Sequence, residues 1–224
     1  MKQSNELLQK KYYDSIAHNY EAIDGRRKKH FKALKIIIQN LATITPAKTF
    51  LDVGAGTGYI SKLAANHFKQ VVAIDISQKM LDQINDNRIA TICMPFKDMD
   101  IWESQFDVVC CFATLHHIEE IPRLIQLCYK VLKPNGILYT DHDMDDYFYQ
   151  KNKIFVDAYR KITNRPQEAE FHNNGIPSTA IAEYVKSCFG HVALFYHWEG
   201  FIPFLKPSTK KGSPLVRMFA AKKG

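Results

Sequence analysis

The sequence predicts an α/β protein built on a doubly wound, mostly parallel sheet of seven strands, with helices on both faces and a helical cap inserted after strand five. Three observations carry that prediction. From Thr49 to Thr140, short apolar runs alternate with stretches of helical period, the pattern of strands joined by crossover helices. The first apolar run ends in Gly54-Ala55-Gly56-Thr57-Gly58. The chain has 224 residues, 46% of them hydrophobic, enough to fill one core between two helical layers, and no glycine- or serine-rich linker divides it.

Asn5 to Tyr20 reads as an amphipathic helix with Leu8, Tyr12, Ile16 and Tyr20 as its apolar stripe. Asp24 to Lys29 is a polar, basic hinge. A second helix runs from about His30 to Leu41 and stops at Thr45-Pro46. Thr49 to Val53 is the first strand, Tyr59 to Phe68 a helix, and Val71 to Ile76 the second strand. Ser77 is placed to cap a helix from Gln78 to Ile84. Ile89 to Met94 is a third strand. Phe106 to Ala113 is a fourth, continuously apolar as strands covered on both faces are. A helix from Ile118 to Leu132 ends at Lys133-Pro134-Asn135-Gly136, and Gly136 to Thr140 is the fifth strand. Beyond it, Asp143 to Ile162 is helical, Asn164 to Pro177 irregular, and Ser178 to Cys188 helical. Val192 to Trp198 and Leu215 to Ala221 complete the sheet.

The net charge of +7 is compatible with an acidic partner, RNA or an acidic carrier protein, and equally with lysines scattered for solubility. The five cysteines are odd in number. Cys93, Cys110 and Cys111 fall in strand-like runs at no zinc-site spacing, so they read as buried thiols in a reducing compartment. No apolar run reaches the ~18 residues a membrane span needs, and Met1 to Gln9 lacks a signal core. A cytoplasmic protein with no membrane partner is expected.

Three glycines between a strand and a helix let the backbone approach a ligand closely. Nicotinamide and flavin sites place glycines at the first, third and sixth positions. Here they stand at the first, third and fifth, and Tyr59 holds the sixth, which argues against a dinucleotide. Asp75 ends the second strand about twenty residues beyond the turn, where a ribose-binding acid belongs. Its bland alternative is a helix cap, for which Ser77 is better placed.

At these residues the chain resembles the class I S-adenosylmethionine-dependent methyltransferases, whose sheet is Rossmann-like. Phe50-Leu51-Asp52-Val53-Gly54-Ala55-Gly56-Thr57-Gly58 resembles the family's first motif, and Val72-Ala73-Ile74-Asp75 its second. Phe106-Asp107-Val108-Val109 with Leu115-His116-His117-Ile118 is similar to the fourth-strand motif, and Leu132-Lys133-Pro134-Asn135-Gly136-Ile137-Leu138 to the lead into strand five. The resemblance implies S-adenosyl-L-methionine as cofactor. It puts Asp52, Gly54, Ala55, Gly56 and Gly58 by the methionine part, with Asp75 and Ile76 by the ribose. The family's Gly-Asp-Ala element for adenine is replaced by Met94-Pro95-Phe96-Lys97-Asp98-Met99. Asp98, with the Met99 amide, is the choice there, and Asp100 its rival. Phe112 and Ala113 at the mouth of strand four face the cofactor. Tyr20 lies in an opening helix that folds over the cofactor in many relatives, or else is a core tyrosine. One domain over 1–224 follows: N-terminal helices over 1–44, a cofactor-binding half over 45–141, the cap over 142–190, and the last two strands over 191–224.

Methyl transfer asks the protein mainly to align an acceptor and remove its proton. His117 and His142, after strands four and five, are the candidate bases. His116, His117, His142 and Asp143 have no metal-ligand spacing, and no metal is expected. Tyr147, Phe148, Tyr159, Phe195, Trp198, Phe201 and Phe204 are candidates for an acceptor pocket wall or for core. A small-molecule acceptor is favoured over RNA or a carrier-bound acyl group, which a basic rim of Arg26, Arg27, Lys28, Lys29, Lys206, Lys210 and Lys211 would serve. A cofactor-binding subunit without catalysis is the remaining alternative. The state expected is a monomer or homodimer.

Overall fold

A computed structural model of the protein describes residues 5–23, 27–45, 48–162, 171–198 and 206–224. Its helices are α1 (Asn5–Ile16), α2 (Tyr20–Ile23), α3 (Arg27–Ile44), α4 (Tyr59–Ala64), α5 (Gln78–Leu81), α6 (Ile121–Val131), α7 (Asp146–Ile162) and α8 (Ser178–Phe189). Its strands are β1 (Thr49–Val53), β2 (Gln70–Asp75), β3 (Ile89–Cys93), β4 (Phe106–Phe112), β5 (Leu132–Met144), β6 (Ala193–His197) and β7 (Leu215–Ala221). They form one seven-stranded sheet in the order β3-β2-β1-β4-β5-β7-β6. β1 to β5 pair in parallel, while β7 runs antiparallel to both β5 and β6. The expected doubly wound, mostly parallel, Rossmann-like sheet is what the chain forms.

Strand periodicity of two sorts the core into two layers. Leu51, Ile74, Val109, Cys111 and Leu138 face α6 and α8, packing with Leu124, Ile125, Val185 and Phe189. Their neighbours Phe50, Ala73, Val108, Cys110 and Tyr139 face α3 and α4, packing with Leu34, Ile38, Ile60 and Leu63. Cys110 and Cys111 thus lie buried on opposite faces. Cys93 is exposed instead, because β3 is the edge of the sheet and its last four residues face solvent.

Several elements differ from expectation for local reasons. The hinge expected over Asp24 to Lys29 is helical from Arg27 onward, and residues 24–26, Arg26 among them, lie outside the described residues. α5 is a single turn, capped as expected by Ser77 Oγ, which accepts from the Met80 amide at 3.2 Å. β5 begins at Leu132 rather than Gly136: Asn135 takes φ +63° and its amide donates to the Lys222 carbonyl, so the turn residues join the strand. Gly136 permits this, since a Cβ there would fall 2.9 Å from the Lys133 carbonyl and 3.1 Å from that of Phe106.

The stretch 142–190 is composite. β5 runs on to Met144, and α8 packs within the layer that holds α6. α7 bends where Asn152 leaves helical geometry, and it buries only Phe148, Tyr149 and Val156.

The first helix also departs from its apolar stripe. Leu7 and Leu8 are exposed, whereas Gln9 and Ala17 are buried. The inward face carries Glu6, Gln9 and Tyr13, followed by Tyr20 of α2, because what this helix covers is a cavity and not the core.

Candidate functional site

The strand order reverses between β1 and β4, whose carboxyl ends lie side by side with Val53 opposite Cys111. Open α/β sheets leave a crevice at such a point. Here it becomes a cavity lined from β1 and its turn by Asp52, Val53, Gly54, Ala55 and Gly56, and from β2 by Ile74, Asp75 and Ile76. Phe112, Ala113 and Thr114 line it beyond β4, followed by His117 and Ile118. Met94, Phe96 and Lys97 line it beyond β3, and α1 roofs it with Asn5, Glu6, Gln9 and Tyr13.

The glycine turn is shaped by positive φ at Gly54, Gly56 and Gly58, at +70°, +56° and +76°. Its amides are occupied. Those of Gly54 and Ala55 both donate to the Ile74 carbonyl, at 2.9 and 3.0 Å, and that of Gly56 donates to Asp75 Oδ2 at 2.9 Å. A pyrophosphate would need those donors free. Gly58 is buried off the cavity as the residue before α4, and a Cβ there would meet Ile84 at 2.7 Å.

Asp75 also accepts from the Ser77 amide at 2.8 Å. Burial pushes its carboxyl up, against the pull of the backbone amides of Ser77, Gly56 and Ile76. Three backbone donors still leave acceptor capacity on a carboxylate with about four lone-pair sites. Asp52 lines the cavity too and accepts from Ser61 Oγ at 2.5 Å. Of the other charged side chains in the wall, Glu6, Glu119 and Glu120 are acidic and Lys97 is basic, with Lys97 Nζ on Glu6 Oε1 at 2.8 Å. The cavity therefore carries an excess of negative charge.

Asp98 and Met99 do not line it. The chain from Phe96 to Ile101 winds as a 3-10 helix, turning Asp98 to solvent and Met99 fully into the core, and Asp100 is exposed as well. Met94, Phe96 and Lys97 take the place expected for them. Met-Pro-Phe is an apolar interruption between strand and acid, a signal that could have pointed to these residues.

α1 is fastened over the cavity at several points. Gln9 Nε2 donates to the His117 carbonyl at 2.8 Å, and the Tyr13 hydroxyl lies 2.9 Å from His117 Nε2. Ser77 Oγ donates to Asp14 Oδ1 at 2.6 Å. Burial pushes the Asp14 carboxyl up, but Ser77 and Lys10 together hold it below its ordinary value. Tyr13 and Gln9 escaped sequence reading; the spacing Glu6, Gln9, Tyr13 is one face of α1, polar rather than apolar.

His117 is thus on the cavity wall, paired with Tyr13. His116 lies tilted against it, 3.9 Å between ring centroids, and Asp143 Oδ1 accepts from the His116 amide and Nδ1 at 3.0 and 2.7 Å. His142 is not on the wall. Its ring lies against Phe112, 4.4 Å between centroids, and its Nδ1 meets Asp141 Oδ1 at 2.8 Å. Asp141 is the hub of a buried network that also takes His197 Nε2 at 2.8 Å, Tyr139 hydroxyl at 2.5 Å and Arg217 Nε at 2.6 Å. Burial pushes that carboxyl up, yet Arg217 and the two histidines hold it well below the ordinary carboxylate range. Asp141, His142 and His197 lie close enough to hold a metal ion. A cation there would have to compete with Arg217 and with every donor already on the carboxylate. Of the tail aromatics, Phe148 packs on Trp198 and Phe195 on Phe219. Phe201 and Phe204 lie outside the described residues, and of the described residues in 142–190 Phe171 lines the cavity.

Residues 51–140 match the family described as methyltransferase domain. Over these residues the chain resembles the class I S-adenosylmethionine-dependent methyltransferases. It is 26% identical over 166 residues to a malonyl-[acyl-carrier protein] O-methyltransferase of Priestia megaterium, covering 70% of this chain and 59% of that relative. It is 29% identical over 112 residues to a ubiquinone biosynthesis O-methyltransferase of Coxiella burnetii, covering 47% of each. The chain thus spans roughly half the length of these curated relatives. In fold the methyltransferase domain is similar to the plantazolicin methyltransferase BpumL, solved in complex with a triazolic desmethylPZN analog and SAH. The TM-score is 0.70 at 13% identity, over 98% of this chain and 96% of that one.

Proposed function

We propose that the protein is an S-adenosyl-L-methionine-dependent methyltransferase acting on a small-molecule acceptor. The observation that carries this reading is the occupied glycine turn beneath an acidic cavity. Three turn amides are spent on Ile74 and Asp75, and Asp52, Asp75, Glu6, Glu119 and Glu120 outnumber Lys97 on the wall. Such a site repels a pyrophosphate and suits a cationic sulfonium. The cofactor supplies, when bound, an electrophilic methyl carbon.

The chain's own residues then divide the work. Asp75 accepts from the ribose hydroxyls, with Ile76 beside it. Met94 and Phe96 are the apolar walls for adenine, in place of Asp98 and Met99. Asp52, Gly54, Ala55 and Gly56 border the methionine part, and Tyr20, Phe112 and Ala113 the donor end. His117 Nε2 takes the proton of an O–H or N–H acceptor by way of the Tyr13 hydroxyl, which passes its own proton to Nε2 as it receives the acceptor's. His142 supports Phe112 from behind rather than touching an acceptor. Phe171 is the contribution of the segment after α7 to the acceptor's enclosure.

Glu6, Glu119 and Glu120 on the wall favour a neutral or cationic acceptor over RNA phosphates or an acidic carrier. The unpaired cysteines fit a reducing, cytoplasmic setting. Calorimetric titration with S-adenosylmethionine, its demethylated product and nicotinamide dinucleotide tests the reading. Saturable binding of the first two is expected, and binding of the dinucleotide alone would overturn it.

A further inference from the structure

α7 carries an apolar face that nothing in the described structure covers. After the bend at Asn152, Ile154, Phe155, Ala158 and Ile162 fall on one side of the helix, opposite the buried Val156. Ile154 is 88% exposed, Phe155 67% and Ile162 83%. Large aliphatic and aromatic side chains contiguous at such exposure mark an interaction surface.

The charge around this face is basic. Lys151, Lys153 and Lys161 are exposed along α7. Lys211 reaches in from the segment before β7 and, with Lys151, sits over the Tyr147 ring, at 5.4 and 5.8 Å from its centroid. Of the helix's two acids, Asp157 is engaged by the Tyr149 hydroxyl at 3.0 Å, and Asp146 stands in the first turn, away from Ile154 to Ile162. A helix that pairs an apolar stripe with lysines at its margins is built to lie in a lipid interface, stripe in the acyl boundary and ammonium groups among anionic headgroups. Self-association would bring those lysines against one another, which opposes a second copy as occupant.

We propose that α7 docks the protein on an anionic phospholipid surface. The docked face is joined to the cavity: Arg160 Nη2 donates to the Asn173 carbonyl, the His172 amide donates to the His116 carbonyl at 2.8 Å, and Phe171 both lines the cavity and reaches solvent. The docking itself does not depend on cofactor or turnover.

The test is co-sedimentation of the full chain with phosphatidylcholine vesicles, with and without phosphatidylglycerol, beside calorimetric S-adenosylmethionine binding and gel filtration. The wild type should sediment with phosphatidylglycerol vesicles and be released as ionic strength rises. An Ile154→Ser/Phe155→Ser/Ile162→Ser variant should lose at least about tenfold in vesicle affinity while keeping its cofactor affinity and helical circular dichroism. Failure of the wild type to sediment, equal sedimentation of the variant, or a dimer that the variant splits would each overturn the proposal. Vesicle docking without cofactor binding would support this surface and count against the methyltransferase reading alone.

Discussion

A Cβ on Gly54 would fall 2.8 Å from both Cγ2 and Oγ1 of Thr114. Thr114 is held there because its hydroxyl donates to the Val53 and Phe112 carbonyls, each at 3.1 Å, and so bridges the ends of β1 and β4. The glycine of the first motif and the threonine after the fourth strand are therefore shaped to each other across the switch point of the sheet.

Gly54→Ala should accordingly cost about 2 to 4 kcal/mol, combining a left-handed alanine with a backbone-anchored clash. Adding Thr114→Ala removes the clash but leaves the φ of +70°. The double variant should recover part of the loss, which urea denaturation of all four proteins in a double-mutant cycle can read. Additive losses would mean that the two residues are not coupled.

Asp75→Ala should weaken S-adenosylmethionine binding by about 10² to 10⁴-fold, from the loss of two charge-assisted hydrogen bonds of roughly 1.5–3 kcal/mol each. It also strips the Gly56 and Ser77 amides of their acceptor. Asp98→Ala should change nothing, because Asp98 faces solvent away from the cavity. Comparable losses from both variants in calorimetry would place the ribose elsewhere.

Asp141 sets a pH signature on stability. Its carboxyl is held well below the ordinary value by Arg217 and two histidines against the upward push of burial. A depressed folded pKa means that the unfolded chain binds the proton first. The contribution is thus complete above the unfolded value of 3.8 and is lost as pH falls below it toward the folded value. Asp141→Asn should cost about 3 to 5 kcal/mol near neutrality, since Arg217 remains buried without its anion. The gap to the wild type should narrow below pH 4. Guanidinium melts at several pH values check the sign, and a gap that widens in acid contradicts the assignment.

Much of this architecture was legible because it is local. β1, the glycine turn and Asp75 follow from a short apolar run, three glycines and one acid at a fixed interval, and the cap at Ser77 from its place before α5. The misses share a different cause. Whether Asp98 or Phe96 faces the cavity depends on how a 3-10 turn is rotated by its packing, with Met99 drawn fully into the core. Cys93 is exposed because β3 is an edge, which strand order decides and composition does not. In α1 the apolar stripe misled, since a helix that roofs a cavity rather than the core buries Gln9 and leaves Leu7 and Leu8 to solvent.

That last inversion makes the moving part of the site identifiable. α1 has only Gln9 buried along its length and is attached by side-chain hydrogen bonds, from Gln9 and Tyr13 to His117 and from Ser77 to Asp14, with Lys97 on Glu6. α8 is anchored instead by Ile181, Ala182, Val185 and Phe189 in the core. An element with few buried apolar contacts opens at lower free energy than one packed in a core. Amides of Asn5 to Ile16 should therefore exchange quickly in the free protein and gain protection with S-adenosylmethionine or its product, as the cofactor fills the space beneath Tyr13 and Glu6. Those of α8 should be slow throughout. Tyr13→Phe removes one attachment without altering the cavity's shape, so it should reduce the protection of α1 in the bound state and speed cofactor release. If α1 is already protected without cofactor, or if Tyr13→Phe leaves its exchange unchanged, the helix is a fixed wall. Entry to the cavity would then have to pass Phe171.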